Sequence, residues 1–271
     1  MKQYLELLDQ IDLFGGLYSN RTGIPTKRLL GKHIAFDLWK GFPLVTTKKV
    51  HFKSVVYELL WLLKGDTNTK YLKDHGVTIW NEWADQNGDL GRAYGAQWRS
   101  WQGANGQIVD QISNLVKTLK EDPDSRRHIL TAWNPAEIDQ MALPPCHCFT
   151  QFHVVRNRLN TNKMFLACHL YMRSCDAFLG LPFNIASYAL LTEMLAQVCG
   201  YKAYQLMITF GDLHIYQNHF DQVKLQLSRE PKPLPKLILT PTIKNIFDFD
   251  YEDISLVNYQ YHPAIKADVA V

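Results

Sequence analysis

The segment Leu143-Pro-Pro-Cys146-His147-Cys148 sets a thiol directly after two prolines. A regular helix cannot run through such a pair, so the chain is fixed just before Cys146, at the mouth of the β-like run that begins at Phe149. That is an economical way to hold a nucleophile rigidly. A free thiol has a pKa near about 8.5, so catalytic use at neutral pH needs positive charge or hydrogen-bond donors close by. His147 and the arginines of the chain are candidates. On these residues alone, a structural turn around a packed cysteine is an equal alternative. Cys148, two residues further along the run, is expected on the same side as Cys146 but deeper, in a packing role.

Anion chemistry is offered by two arginine groups. Arg173-Ser174, together with Arg21, supplies the guanidinium and hydroxyl donors that suit a phosphate monoester. Arg126 and Arg127 follow Asp124-Ser125, and adjacent side chains on extended backbone point to opposite faces. They cannot easily clamp one phosphate unless they reach across an interface, and two solvated surface arginines are the plainer reading. No glycine-rich nucleotide loop occurs, which favours a mononucleotide held by side chains over ATP or NAD. Glu58 sits in the apolar run Val55-Val-Tyr-Glu-Leu-Leu-Trp61, where a carboxylate is either paired or tuned upward by desolvation for proton transfer. Trp80 and Trp83 flank Glu82 and are either core or the walls of a pocket for a flat heterocycle.

Elements must position these groups. Helical periodicity predicts helices over residues 2–13, 53–64, 108–120 and 184–199, the last apolar on several sides and stopped by Gly200. β-branched and aromatic residues concentrate at 128–133, 149–155, 165–171, 204–210 and 236–240, and the turn-rich stretch Arg158 to Lys163 suggests a hairpin. Strands follow one another without regular intervening helices, so the pattern argues for an α+β fold. With 271 residues, 46% hydrophobic, no low-complexity tract and no long linker, one domain spanning 1–271 is expected. A net charge of +3 is too small to demand nucleic acid or an anionic membrane as partner. No stretch is apolar enough to span a membrane, the N-terminus lacks the pattern of an export signal, and five cysteines without zinc-type spacing suit a reducing cytoplasm.

Arg21-Thr-Gly, Phe42-Pro-Leu-Val-Thr-Thr-Lys48, Glu58-Leu-Leu-Trp, Gly65-Asp-Thr-Asn, Ile79-Trp-Asn-Glu-Trp83, Gly91-Arg-Ala-Tyr94-Gly, Asp124-Ser-Arg-Arg127, Pro145-Cys-His147, Arg173-Ser-Cys-Asp176, Leu179-Gly-Leu-Pro-Phe-Asn184 and Gly211-Asp-Leu-His-Ile-Tyr216 occur in one order. In that order they resemble the thymidylate synthases, and the resemblance covers essentially the whole chain. It implies a homodimeric methyltransferase of nucleotide biosynthesis, making dTMP from dUMP with 5,10-methylenetetrahydrofolate as carbon and hydride donor. The implied fold is a large mixed sheet with flanking helices, packed against its symmetry mate in the dimer. On matching positions, Cys146 would add to carbon 6 of the uracil. Arg21, Arg173 and Ser174 would hold the phosphate, joined by Arg126 and Arg127 from the other subunit, which removes the awkwardness of adjacent arginines. His214 and Tyr216 would bind the deoxyribose hydroxyl and Asn184 the uracil edge. Glu58 would organise water and move protons, and Tyr94 would assist loss of the carbon 5 proton. Trp80, Leu179, Gly180 and Phe183 would line the folate site, with Asp176 in the network around folate and base. The apolar end Val269-Ala270-Val271 would close over the folate. No metal is implied.

The chain departs from the usual pattern at Met172, where a glutamine is common, at Ile24-Pro25 after Arg-Thr-Gly, and in a longer hairpin around Arg158 to Lys163. The first is expected to weaken a polar contact beside the phosphate and the second to stiffen its loop. Two rivals stand beside the main reading. A deoxycytidylate hydroxymethylase shares the cysteine chemistry, but an aspartate suits cytosine where this chain has Asn184. RNA binding, known among members of the family, is expected at most as a second activity.

Overall fold

Tyr4, Leu7, Leu8 and Ile11 recur at helical spacing and are buried along one side of α1 (Lys2–Phe14). The computed structural model describes residues 1–157 and 160–270. After α1 the chain forms β1 (Gly16–Tyr18), β2 (Thr26–Asp37), α2 (Phe52–Lys64), α3 (Lys70–Asp74) and α4 (Gly95–Ser100). A two-residue ribbon of β3 (Trp101–Gln102) and β4 (Ile108–Val109) leads into α5 (Gln111–Glu121). Then come β5 (Ile129–Thr131), β6 (His147–Asn157), β7 (Asn160–Asp176), α6 (Gly180–Cys199), β8 (Lys202–Tyr216), α7 (Phe220–Leu227), β9 (Lys236–Leu239) and β10 (Ile254–Val257).

The fold is α+β, as expected. Six strands make one mixed sheet in the order β1-β2-β8-β7-β6-β5, all antiparallel neighbours except the parallel pair β7 and β8. That pair is joined through α6, a single strand-helix-strand crossover inside an otherwise antiparallel arrangement. Phe36, Phe152, Cys168, Leu206 and Ile208 are buried on the inner face of the sheet, beneath α6. α6 is itself buried nearly all round, packing on β7, β8, α2 and α5, and ends at Gly200 in the left-handed conformation with φ 77°. On the other face, neighbouring side chains such as Phe149, Tyr171, Thr209 and His33 are exposed or half-buried.

Several expectations are corrected. The predicted helix over 108–120 starts at Gln111, because the Asp110 carboxylate accepts the Ser113 N–H at 3.0 Å and Ile108–Val109 pair as a strand instead. α6 begins at Gly180 rather than residue 184: Pro182 lies in its first turn, where a backbone N–H has no intrahelical partner to lose. β2, twelve residues long, escaped the sequence pattern, since Lys27, Arg28, Lys32 and His33 obscure its alternation and Gly31, at φ 63°, breaks the apolar pattern in its middle without shifting the register. The hairpin is present as the antiparallel pair β6 and β7, out to Asn157 opposite Asn160, while its turn residues Arg158 and Leu159 lie outside the described residues, as does Val271. Among the described residues no helix is long and apolar enough to cross a membrane, and all five cysteines are free thiols.

Candidate active site

Cys146 precedes β6 and is fixed from three directions. Its backbone N–H donates to the Tyr94 hydroxyl at 2.8 Å, and its carbonyl accepts the Arg173 N–H at 2.9 Å. Arg173 also donates through Nε to the Pro145 carbonyl at 2.8 Å and through Nη2 to the Pro144 carbonyl at 2.7 Å, which leaves Nη2 3.9 Å from Cys146 Sγ. The two prolines thus do more than break a helix: their carbonyls anchor the guanidinium beside the thiol. Burial pushes the Cys146 thiol above its ordinary range, and the charges of Arg173 and Arg21, with the Tyr94 hydroxyl, oppose that shift without cancelling it.

His147 does not supply the positive charge expected of it. Its ring is buried, stacks on Tyr94 at 4.2 Å between centroids and bonds the Tyr188 hydroxyl through Nδ1 at 2.8 Å. Desolvation drops its pKa to about 3, so the imidazole is neutral and serves as a wall. Arg173 and Arg21 carry the positive field at the thiol. Cys148 is buried, in keeping with packing, and sits at an irregularity in the β6 and β7 register between His147 and Phe149.

Behind this lies a desolvated carboxyl. Glu58, on α2, accepts the Trp80 indole N–H at 2.8 Å, and burial raises its pKa to about 7. Trp80 packs 5.6 Å from Tyr94 and 5.8 Å from Trp83. Tyr94 holds an unusual backbone, φ 40° and ψ −92°, immediately before α4, and burial pushes its phenol well above the ordinary range.

The parallel strands carry a second group. Their register sets Ser174 beside Asp212 and Asp176 beside His214. The chain leaves β7 through a turn in which Asp176 Oδ1 accepts the N–H groups of Phe178 at 2.8 Å and Leu179 at 3.1 Å, and so enters α6. Half-buried Leu179, Gly180, Phe183 and Asn184 occupy the first turns of that helix. A side chain on Gly180 would lie between Asn184 and Asp176, its Cβ 3.8 Å from Asn184 Oδ1 and 3.9 Å from Asp176 Cβ. His214 and Tyr216 meet edge to face at 5.1 Å. Arg21, exposed in the turn between β1 and β2, lies close enough for its charge to act on both Cys146 and Tyr216.

Two predicted groups stand apart. Arg126 and Arg127 are exposed just before β5, and the nearest tie is from Gln151 Nε2 to the Arg126 carbonyl at 2.9 Å. Ala270 lies at the end of an extended tail held where the Asp268 carbonyl contacts His219 Nε2 at 2.8 Å. Met172 is buried in the core cluster, opposite His147 in the register of β6 and β7. Sequence reasoning gave no role to Lys48, whose buried ammonium donates to the Phe178 carbonyl at 2.6 Å. Burial brings its pKa down to about 7 against the opposing pull of Asp176. A lysine after two threonines looks like a solvated charge, and only its place under the Asp176 turn reveals otherwise. Among the described residues no cluster of three or more His, Cys, Asp or Glu side chains is placed to hold a metal ion.

A model for one family of nucleotide methyltransferases matches residues 2–271, essentially the whole chain. That family is thymidylate synthase, and this chain belongs to it. It is an enzyme that forms dTMP by transfer of a one-carbon unit, and the family uses methylenetetrahydrofolate as co-substrate.

Proposed function

We propose that the enzyme converts dUMP to dTMP through covalent addition of Cys146 to uracil carbon 6, with 5,10-methylenetetrahydrofolate giving up both methylene and hydride to leave dihydrofolate. The observation that carries this reading is the thiol of Cys146, held 3.9 Å from the Arg173 guanidinium on a loop that Arg173 and Tyr94 fix. Arg21, Arg173 and Ser174 bind the phosphate, His214 and Tyr216 the sugar hydroxyl, and Asn184 the uracil ring NH and carbonyl. As the sulfur bonds to carbon 6, its proton leaves to water and the carbon 5–carbon 6 π pair moves toward the carbonyl oxygen. Carbon 5 thereby becomes nucleophilic. Bound reduced folate supplies the methylene and the hydride.

Glu58, with a pKa near neutrality, exchanges protons with water in this pocket. Tyr94 guides removal of the carbon 5 proton as a hydrogen-bonding group, because burial disfavours its phenolate. For the folate, half-buried Leu179, Phe183 and Gly180 beside Asp176, together with Trp80, would give a flat ring apolar walls, and the tail at Ala270 would move in to close over it. Residues 1–271 act as one thymidylate synthase unit, a view supported by one core cluster running from Tyr4 to Ile254. Its place is the cytoplasm, in keeping with five free thiols.

The active unit is a homodimer joined through the open sheet face, where Phe149, Gln151, His169, Tyr171 and Thr209 line a hollow. Arg126 and Arg127 beside that face reach the partner's phosphate site. Asn184 favours uracil over the cytosine of a deoxycytidylate hydroxymethylase, and RNA binding is at most secondary. The test is spectrophotometric: dihydrofolate should appear when protein, dUMP and methylenetetrahydrofolate are mixed, and dCMP should not replace dUMP. Cys146→Ser should abolish that signal while dUMP still binds, since a hydroxyl is a far weaker nucleophile at neutral pH. Near-normal turnover by the serine variant would sink the reading.

A further inference from the structure

Two residues before His214, the same strand carries Asp212, and the two side chains meet: His214 Nδ1 lies 2.8 Å from Asp212 Oδ1. An ionised carboxylate only accepts, so the proton in that bond belongs to Nδ1. In a neutral imidazole, Nε2 is then left as an acceptor. The other oxygen of Asp212 takes a bond of 3.1 Å from Nη1 of Arg28, which lies on β2 directly opposite His214 in the sheet register. The Arg28 guanidinium is in turn stacked 3.8 Å from the centre of the Tyr18 ring, so its fork is held in one plane. Burial raises the Asp212 carboxyl, but the bonds from His214 and Arg28 outweigh it and keep it below the ordinary range. Tyr216, edge-on to His214, brings a hydroxyl to the same place.

We infer that Arg28 and Asp212 are positioning residues that lock His214 with Nδ1–H inward and Nε2 bare, so that the sugar subsite selects a nucleotide whose 3′-hydroxyl donates to Nε2 while accepting from Tyr216. This rests on the reading of His214 and Tyr216 as the sugar subsite. With the opposite tautomer, Nε2 could only donate, the 3′-hydroxyl would have to turn its proton to the Tyr216 oxygen, and the Tyr216 O–H would lose the sugar oxygen as its acceptor. A polar group left unpaired in a half-buried site reduces affinity by about 10- to 100-fold.

The test compares dUMP with 2′,3′-dideoxyuridine 5′-monophosphate, which lacks the 3′-hydroxyl, by calorimetric titration of wild type, Asp212→Asn, Arg28→Met and His214→Ala. Wild type should prefer dUMP by about 10-fold or more, and Asp212→Asn should lose most of that preference. Arg28→Met should lose part of it, while affinity for the dideoxy analogue shifts by less than about threefold in either variant. In turnover, the dUMP KM should rise while kcat holds. Equal weakening toward both nucleotides would give Asp212 a merely structural part and overturn the inference. If wild type and His214→Ala alike show no preference, the sugar-subsite reading itself fails. Should Asp212→Asn not fold, nitrogen-15 shifts of His214 in wild type decide: the Nδ1–H tautomer is expected, and an Nε2–H or doubly protonated ring overturns it.

Discussion

Glu58 is a carboxyl taken out of water with one donor to support its charge, the Trp80 indole, and its pKa climbs from 4.5 to about 7. A raised carboxyl contributes fully below its unfolded value and loses that contribution as pH rises toward the folded one. Wild type should therefore lose stability between about pH 4.5 and pH 7, by up to about 3 kcal/mol, and change no further above. Glu58→Gln keeps the acceptor for Trp80 and removes the titration. Its melting temperature should match wild type near pH 4 and exceed it at pH 8, with turnover lost, and identical pH profiles of melting would refute the desolvated carboxyl. At the base, Asn184→Asp should lower efficiency on dUMP and raise it on dCMP relative to wild type, changing the preference by about 5- to 150-fold. An unchanged dUMP-to-dCMP ratio would mean that Asn184 does not read the base. Cys146, Arg173 and Glu58 were legible because proline, guanidinium and a lone acid in an apolar run are each unusual where they stand. His147 was misjudged, since a histidine beside a cysteine suggests charge until the rings of Tyr94 and Tyr188 are known to enclose it.

β7 and β8 deliver the second half of the site because they run parallel and end together. Their contact is tight at Gly211, where a Cβ would lie 2.9 Å from the Arg173 carbonyl oxygen and 2.8 Å from the Tyr171 hydroxyl. The hydroxyl can swing aside but the carbonyl cannot, so Gly211→Ala should push β7 away and move Arg173 off the Cys146 loop. We expect a loss of about 1–3 kcal/mol in denaturant unfolding, together with a fall in activity larger than that destabilisation explains in the folded fraction. Full activity at reduced stability would show that the strand separation does not reach Arg173. The helices over Lys2–Phe14 and Phe52–Lys64 were readable to within a residue or two, since apolar periodicity is a local property. β2 was not readable: half of its side chains face the open side of the sheet, where His33 is as acceptable as an apolar residue, and on the other face Lys32 reaches past the core to Gln10 on α1. The strand order was beyond reach too, because pairing β2 with β8 is a choice made among distant segments.

At the scale of the molecule, Arg126 and Arg127 are exposed just before β5, free to serve the partner's phosphate site as proposed. Mixing Arg126→Glu with Cys146→Ala under conditions of subunit exchange should restore part of the activity lost by each, because one of the two hybrid sites then has both native contributions. Equal numbers of each subunit exchanging at random should give about a quarter of wild-type activity, and none after demonstrated exchange would refute a shared site. The sheet order has a further consequence, for the making of the protein. β2 leaves the ribosome early, yet its long partner β8 begins only at Lys202, and Arg28 meets Asp212 across 184 residues of chain. At synthesis rates of roughly 5–20 residues per second, the interval is about 10–40 s, during which β2 has only the three-residue β1 to pair with. Throughout that time the nascent chain must be kept from aggregating through an unpaired strand edge, and the contact of Arg28 with Asp212 beside His214 forms only after β8 has been made.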